Sequence, residues 1–369
     1  MVTVSTRSQG KRSKETTSRK AGHLAICTDP SRYSVEGQGG GFEGLRFVHI
    51  ALPELNEAEL DTATDFLGHH VKLPFFISCM TGGSAGGFRA NKELARAAEV
   101  LGIPVGLGSM RVLVENPELF PHFNMKPLAP SVPLMANIGA VQIRDLERPP
   151  VYELLRRLEA QALVIHMNPG QELFQPEGDR DFRGLKEAIR RVCEESPVPV
   201  IVKETGFGIA PHLVRELLNA GAAYVDLAGA GGTNWILVES YRLPEADMAA
   251  AAQFAGWGIP TAVLLASFGG MQIRLLASGG VRTGVDAAKA IAMGAQLVGF
   301  ALPVIREAAA GGAESVISFF RRLEKALRST MLLTGSQDIP GLRRASTWRE
   351  PAFTAELNAF LRAEAFARG

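Results

Sequence analysis

Three cysteines (Cys27, Cys79, Cys193) in 369 residues, odd in number, widely spaced and without a CxxC pair, leave this sequence without the means for a disulfide framework or a zinc site of ordinary spacing. A reduced, cytoplasmic setting follows as the expectation. Net charge is also nearly absent. With 39 basic against 38 acidic side chains the formal charge is +1, so nothing global recommends nucleic acid or a membrane surface as a partner. No uninterrupted apolar run approaches the ~18 to 20 residues that span a bilayer, and the chain reads as soluble. The basic, polar stretch RSQGKRSKETTSRK at 7–20 has no apolar segment behind it and so makes no secretory signal; residues 1–18 read as a disordered basic tail. There is no Pro/Gly/Ser-rich linker and no internal repeat.

What is present is rhythm. Apolar runs of five to eight residues, rich in Val, Ile and Leu, alternate with longer amphipathic segments, the βαβ pattern of a parallel sheet. The candidate strands are 73–80, 103–108, 133–139, 162–168, 198–204, 224–229, 273–279 and 296–301. They are apolar on both faces, so each needs helices outside and packed side chains inside, as in an α/β (β/α)₈ TIM barrel. An open doubly wound sheet is the competitor; the regular spacing, enough for one helix and two short loops per step, favours the barrel. The longer step between the sixth and seventh strands contains TAVLLASF (261–268), read as helix because it follows Gly258-Ile259-Pro260. The expected organisation is a single domain: an N-terminal segment over 19–72, the barrel over 73–310, and C-terminal helices over 311–369 packing on its outside.

Polar groups collect at the C-terminal ends of these strands, where such a barrel keeps its chemistry. After the fourth comes HMNPGQELFQPEGDRDF (166–182), placing His166, Gln171 and Glu172 close together. After the seventh, Gly279, Gly280 and Arg282 precede a helix, and Gly299 and Ala301 close the eighth: two loops that together suit a phosphate. Tight turns alone would also explain the glycines. MTGG (80–83) contributes Met80, Thr81 and Gly82; other strand ends contribute Ser109, Arg111, Asn137, Lys203 and Thr233. Singly, each could be a turn or a satisfied core residue, but a barrel mouth has no structural use for so many polar groups. Lys203 is expected to face an anion, since a buried ammonium without one is costly.

Over nearly its whole length from about residue 19, the chain resembles the FMN-dependent, type 2 isopentenyl-diphosphate isomerases. The resemblance rests on RKAGH (19–23), HIALPELN (49–56), MTGG, GLGSMR (106–111), ANIGA (136–140) and the 166–182 block, followed by VKETGFG (202–208), GGTNW (231–235) and SGGVRTG (278–284). The SGG turn and its helix are shared with other flavin and nucleotide barrels; RKxxH and QExxQPEGD are more particular.

The resemblance implies FMN at the barrel mouth, its phosphate on Gly279, Gly280, Arg282 and the Gly299–Ala301 loop, its ring against Met80, Thr81, Gly82, Ser109, Asn137, Lys203 and Thr233. It implies a C5 isoprenoid diphosphate held by Arg19, Lys20, Ser109, Arg111 and His166, with His23. Glu172 would bind Mg²⁺ bridging to the diphosphate. The reaction would be a 1,3-allylic proton shift with reduced FMN as acid/base, NADPH serving only as reductant, and Gln171, Glu239 and His166 assisting. A homotetramer or larger assembly is implied too. Thr205 stands where an aliphatic residue is usual and Ala210 where a hydroxyl is common. The rivals are an FMN-dependent 2-hydroxy acid oxidase, which needs a His base that the segment after the seventh strand lacks, and a non-catalytic flavin-binding barrel. A Cys-nucleophile barrel is weaker still, since Cys79 is expected inside the first strand and Cys27 and Cys193 away from such loops.

Overall fold

The structure, a computed structural model, describes residues 18–269, 271 and 273–366. A ribbon strand β1 (Leu45–Phe47) and a hairpin of β2 (Thr64–Phe66) and β3 (His69–Val71) precede the barrel strands. These are β4 (Phe75–Ile77), β5 (Val105–Ser109), β6 (Leu134–Gly139), β7 (Ala162–His166), β8 (Val200–Lys203), β9 (Tyr224–Asp226), β10 (Leu275–Ala277) and β11 (Ala295–Phe300). They pair in parallel in chain order, and β11 closes on β4 through Val298–Phe75 and Phe300–Ile77. The eight expected strands are therefore the barrel, and 261–266 is helical, as the Pro260 start suggested.

Closure needs two populations of apolar side chains. Inside and low in the barrel, Phe76, Met135, Val164, Ile201, Leu276 and Leu297 pack together, and Phe66 and Val71 of the β2–β3 hairpin join them from below. The hairpin is thus the floor of the barrel, a role that residues 64–71 did not disclose in sequence. Outside, a larger cluster joins the strands to surrounding helices. The helix Ala85–Leu101 begins where Ser84 Oγ accepts from Gly87 N (3.1 Å) and ends at Gly102 in the left-handed region, a start and a stop that the residue types dictate. The helix Gly284–Ala292, behind the Gly279–Gly280 turn, carries a reciprocal cap between Thr283 and Asp286.

The long helix Leu302–Leu333 is broken at Gly311 and Gly312, where φ reaches +64° at the second glycine. Beyond it, β12 (Thr347–Arg349) pairs antiparallel with β1, so the C-terminal region is not wholly helical. Three-residue ribbons carry too little alternation to be read from sequence. The basic tail read over 1–18 lies outside the described residues except for Ser18, which is helical together with the residues that follow it to 28. No helix among the described residues is long and apolar enough to cross a membrane.

Candidate active site

The C-terminal strand ends open into a cleft whose empty space, open mouth included, is about 1630 Å³. Its floor is formed by residues just past the strands: Cys79, Met80 and Thr81 after β4, Asn137 in β6, Lys203 closing β8, Ser278 to Gly280 after β10. The 18–28 helix lies across one side and lends Arg19, Lys20, His23, Leu24 and Cys27 to the wall. Arg19 and Lys20 therefore belong to an ordered helix facing the barrel mouth.

The first region is cationic. Lys20 Nζ donates to Ser109 O (3.1 Å) and sits 5.7 Å from the Phe123 ring centroid. Burial, with Arg19 and Arg111 nearby, lowers its ammonium to about 7, against a smaller opposing pull from Glu115. His166 is lowered to about 3 by burial, then by Lys203 and Lys20. It is a neutral imidazole whose Nδ1 lies 3.0 Å from Asn137 Oδ1. The Asn137 amide nitrogen donates to Val164 O (3.3 Å), which turns Oδ1 toward the ring and makes Nδ1 the donor. So much repelling positive charge in one place is what an anion site looks like when only protein atoms are counted.

The second region is built on the short helix Pro169–Phe174. Gln171 is held at both ends of its amide: Oε1 accepts from Asn168 Nδ2 (3.0 Å) and Nε2 donates to Glu239 Oε1 (3.0 Å). Glu239 is fully buried and stands behind the cavity wall, where it also meets His23 Nε2 (2.8 Å) and Arg242 Nη1 (2.5 Å). Burial would push its carboxyl up, but His23, Gln171 and Arg242 outweigh that and hold it below the usual range. Gln175, buried, spans from Glu239 Oε1 (3.3 Å, through its amide nitrogen) to Arg19 Nη1 (2.7 Å, through its carbonyl). Glu172 accepts from Asn168 Nδ2 (3.1 Å) and from Asp179 N (2.8 Å); burial raises its carboxyl despite those bonds.

The third region is the pair of glycine loops. Gly279, Gly280, Arg282, Gly299 and Ala301 all line the cleft, as does Thr233. The glycines are needed for packing as well as for any ligand. A Cβ on Gly279, at φ +95°, would fall 2.1 Å from Gly229 O, and one on Gly299 would fall 2.3 Å from the Phe76 ring.

Nearly every candidate from the sequence thus lines one cleft, with two corrections. Gly82 is not on its wall: it is buried where a Cβ would meet the Phe123 ring at 2.6 Å. Glu239 reaches the cleft only through Gln171 and His23. Arg282 lines the wall, but Glu36 takes its guanidinium at 2.6 and 3.1 Å. Cys79, expected within a strand, lies past β4 on the cleft floor, and burial pushes its thiol up to about 12, which keeps it a neutral, poor nucleophile.

Sequence reasoning missed Gln175 and Trp235, which lines the cleft edge-on to His23 at 5.3 Å, although both lie inside the recognised motifs. Thr205, noted as unusual, lines the cleft with a buried hydroxyl that has no protein partner. Among the described residues no group of three or more His, Cys, Asp or Glu gathers as a metal site.

The model of the FMN-dependent dehydrogenase family matches residues 32–115 and 164–349. Curated relatives called isopentenyl-diphosphate delta-isomerase include one from Borrelia garinii subsp. bavariensis, 41% identical over 92% of this chain and 96% of its own length. One from Stutzerimonas stutzeri is 44% identical over 89% and 96%. Among solved structures, a putative lactate oxidase from Pediococcus acidilactici superposes with a TM-score of 0.61 at 18% identity, covering 95% of each chain. A mutant flavocytochrome b2 with benzoylformate gives 0.64 at 17%, covering 89% of this chain and 84% of its own. At such identities the two structures speak for the fold alone.

Proposed function

Because the chain belongs to the FMN-dependent dehydrogenase family and, within it, to the type 2 isopentenyl-diphosphate delta-isomerases, we propose that it interconverts isopentenyl and dimethylallyl diphosphate by a 1,3-allylic proton shift. The observation that carries this reading is the union, in one cleft, of a basic cluster with a neutral amide locked beside it. Arg19, Lys20 and Arg111 suit a diphosphate, whose arrival would relieve their mutual repulsion and favour protonation of Lys20 and His166. Gln171 suits the hydrocarbon end. A carboxylate in direct contact with a developing carbocation could trap it covalently, whereas here Glu239 sits one amide further back and contributes negative potential through Gln171. Trp235 lines the same cleft and adds an aromatic ring to its wall.

The cleft also fits FMN. The glycine loops suit its phosphate, Lys203 and Thr233 suit the polar atoms of its ring, and the unpartnered Thr205 hydroxyl is a buried group in want of a polar neighbour. Bound and reduced, FMN would supply the acid/base function at the alkene carbons. The protein's share is to hold the C5 chain where those carbons are reached and to exclude water around it. Glu172 fits Mg²⁺ as a single protein carboxylate, since a hard octahedral cation fills its remaining positions with water and phosphate oxygens. NADPH as reductant and a cytoplasmic setting complete the reading. A homotetramer or larger assembly is supported by exposed Ile50, Leu52 and Trp348 near the β1–β12 ribbon.

A 2-hydroxy acid oxidase would need a His base and a free Arg clamp after β10. That turn reads Gly279, Gly280, Val281 and Arg282, and Arg282 is engaged by Glu36. The deciding test offers the FMN-loaded protein, reduced by NADPH with Mg²⁺, both the C5 diphosphates and lactate or mandelate. Turnover of the diphosphates alone supports the proposal; oxidation of the hydroxy acids, or no turnover of either, sinks it.

A further inference from the structure

The chain between the 18–28 helix and the turn at Phe42–Gly44 is stitched to the barrel mouth through its backbone. Glu36 bridges Thr233 in antiparallel fashion. Gly37 N donates to Gly232 O (2.8 Å), Asn234 N to Val35 O (2.8 Å) and Ala262 N to Gly40 O (2.9 Å). The strap touches the glycine turn itself: a Cβ on Gly280, at φ +71°, would fall 2.7 Å from both Gly40 N and Cα. Its side-chain link is Glu36. Oε1 accepts from Arg282 Nε (3.1 Å) and Nη2 (2.6 Å), and Oε2 accepts from Arg306 Nη1 (2.7 Å). Arg306 Nε in turn donates to Cys27 O (3.0 Å), at the end of the 18–28 helix.

We propose that Glu36 is a positioning residue that couples the two halves of the site, and this rests on reading the cleft as a flavin and diphosphate site. A phosphate seated on the glycine turn fixes the backbone that carries Arg282. Arg282 fixes Glu36, Glu36 fixes Arg306, and Arg306 holds the helix that carries Arg19, Lys20 and His23. Each ion pair is partly exposed and weak alone. What matters is the forked geometry, which a guanidinium holds rigidly and an ammonium does not. Coupling of this kind is reciprocal: whatever the flavin does for diphosphate affinity, diphosphate does for flavin affinity.

The experiment measures the FMN dissociation constant by flavin fluorescence on diluting the FMN-loaded protein, with and without inorganic diphosphate and Mg²⁺. In the wild type, diphosphate should tighten FMN by about 5-fold or more, within the usual range of coupling energies. Glu36→Gln and Arg306→Lys, which break the link at different points while preserving size and hydrogen bonding or charge, should each reduce that factor below about 2-fold. Thermal melts establish that both variants are folded. An undiminished factor in either folded variant, or no tightening in the wild type, overturns the proposal. Isomerase turnover is followed in parallel: turnover without coupling refutes the link and leaves the proposed function standing, and coupling without turnover does the reverse.

Discussion

Replacing Glu239 by alanine would strip His23, Gln171, Gln175 and Arg242 of their shared acceptor. Arg242 keeps Glu177 at 3.0 Å, but His23 and Gln171 have nothing comparable. Because Glu239 is fully buried, breaking this arrangement should cost about 3 to 5 kcal/mol, the range for removing one partner of a buried pair. At roughly 2 °C per kcal/mol for a domain this large, melting should fall by about 6 to 10 °C. Glu239→Gln keeps the volume but turns an amide N–H toward one of four donors, so it should cost about 1.5 to 3 kcal/mol, or about 3 to 6 °C. Both variants loosen Gln171 and should lower kcat more than they raise KM. The carboxyl is held below its ordinary value, so its contribution is present above the unfolded pKa of ~4.3 and is lost as pH falls through the folded value. Melting curves of wild type and Glu239→Gln should therefore converge below about pH 4. An alanine variant that melts within about 1 °C of the wild type would refute the buried-anchor argument.

Glu172→Gln should weaken Mg²⁺ dependence and activity by roughly 10- to 100-fold while leaving FMN bound; loss of flavin absorbance from the purified variant would show that the metal assignment is wrong. In the free protein Lys20 titrates near 7, far below its ordinary 10.5, so above that pH the site loses a positive charge and KM for the diphosphate should climb. Lys20→Met should flatten this limb of the KM–pH profile, and Arg19→Ala with Lys20→Ala should chiefly raise KM; unchanged kinetics would remove the helix from substrate binding. Thr205→Val should make the flavin-free protein about 1 kcal/mol more stable by removing an unpaired buried hydroxyl. It should also narrow the melting gap between flavin-loaded and flavin-free forms; an unchanged gap would show that the hydroxyl does not meet the flavin.

The barrel was legible because each strand is apolar on both faces and bounded by turn residues, so strand positions survive errors of a few residues at their ends. The short pieces were not. β2, β3 and the turn between them contain Asp65, Gly68 and His70 and look like loop, yet Phe66 and Val71 plug the barrel floor. At the site, sequence gave up the groups whose chemistry declares itself: a lysine closing an apolar strand, paired glycines before a helix. It concealed depth. Nothing in the 235–240 helix distinguishes Glu239 behind the wall from Trp235 on it, since that depends on how the helix is rotated against Pro169–Phe174. Glu36 was equally silent. Its partners are 246 and 270 residues away, and only the closed barrel brings them together.

The central claim is that the cleft moves a proton along a C5 diphosphate without net oxidation. Proton NMR of isopentenyl diphosphate in D₂O, with the reduced FMN-loaded protein and Mg²⁺, tests it most directly. The account predicts dimethylallyl diphosphate carrying solvent deuterium at the exchanging carbons, with no steady consumption of reductant. An unchanged isopentenyl spectrum, or reductant consumed in step with product, would contradict it.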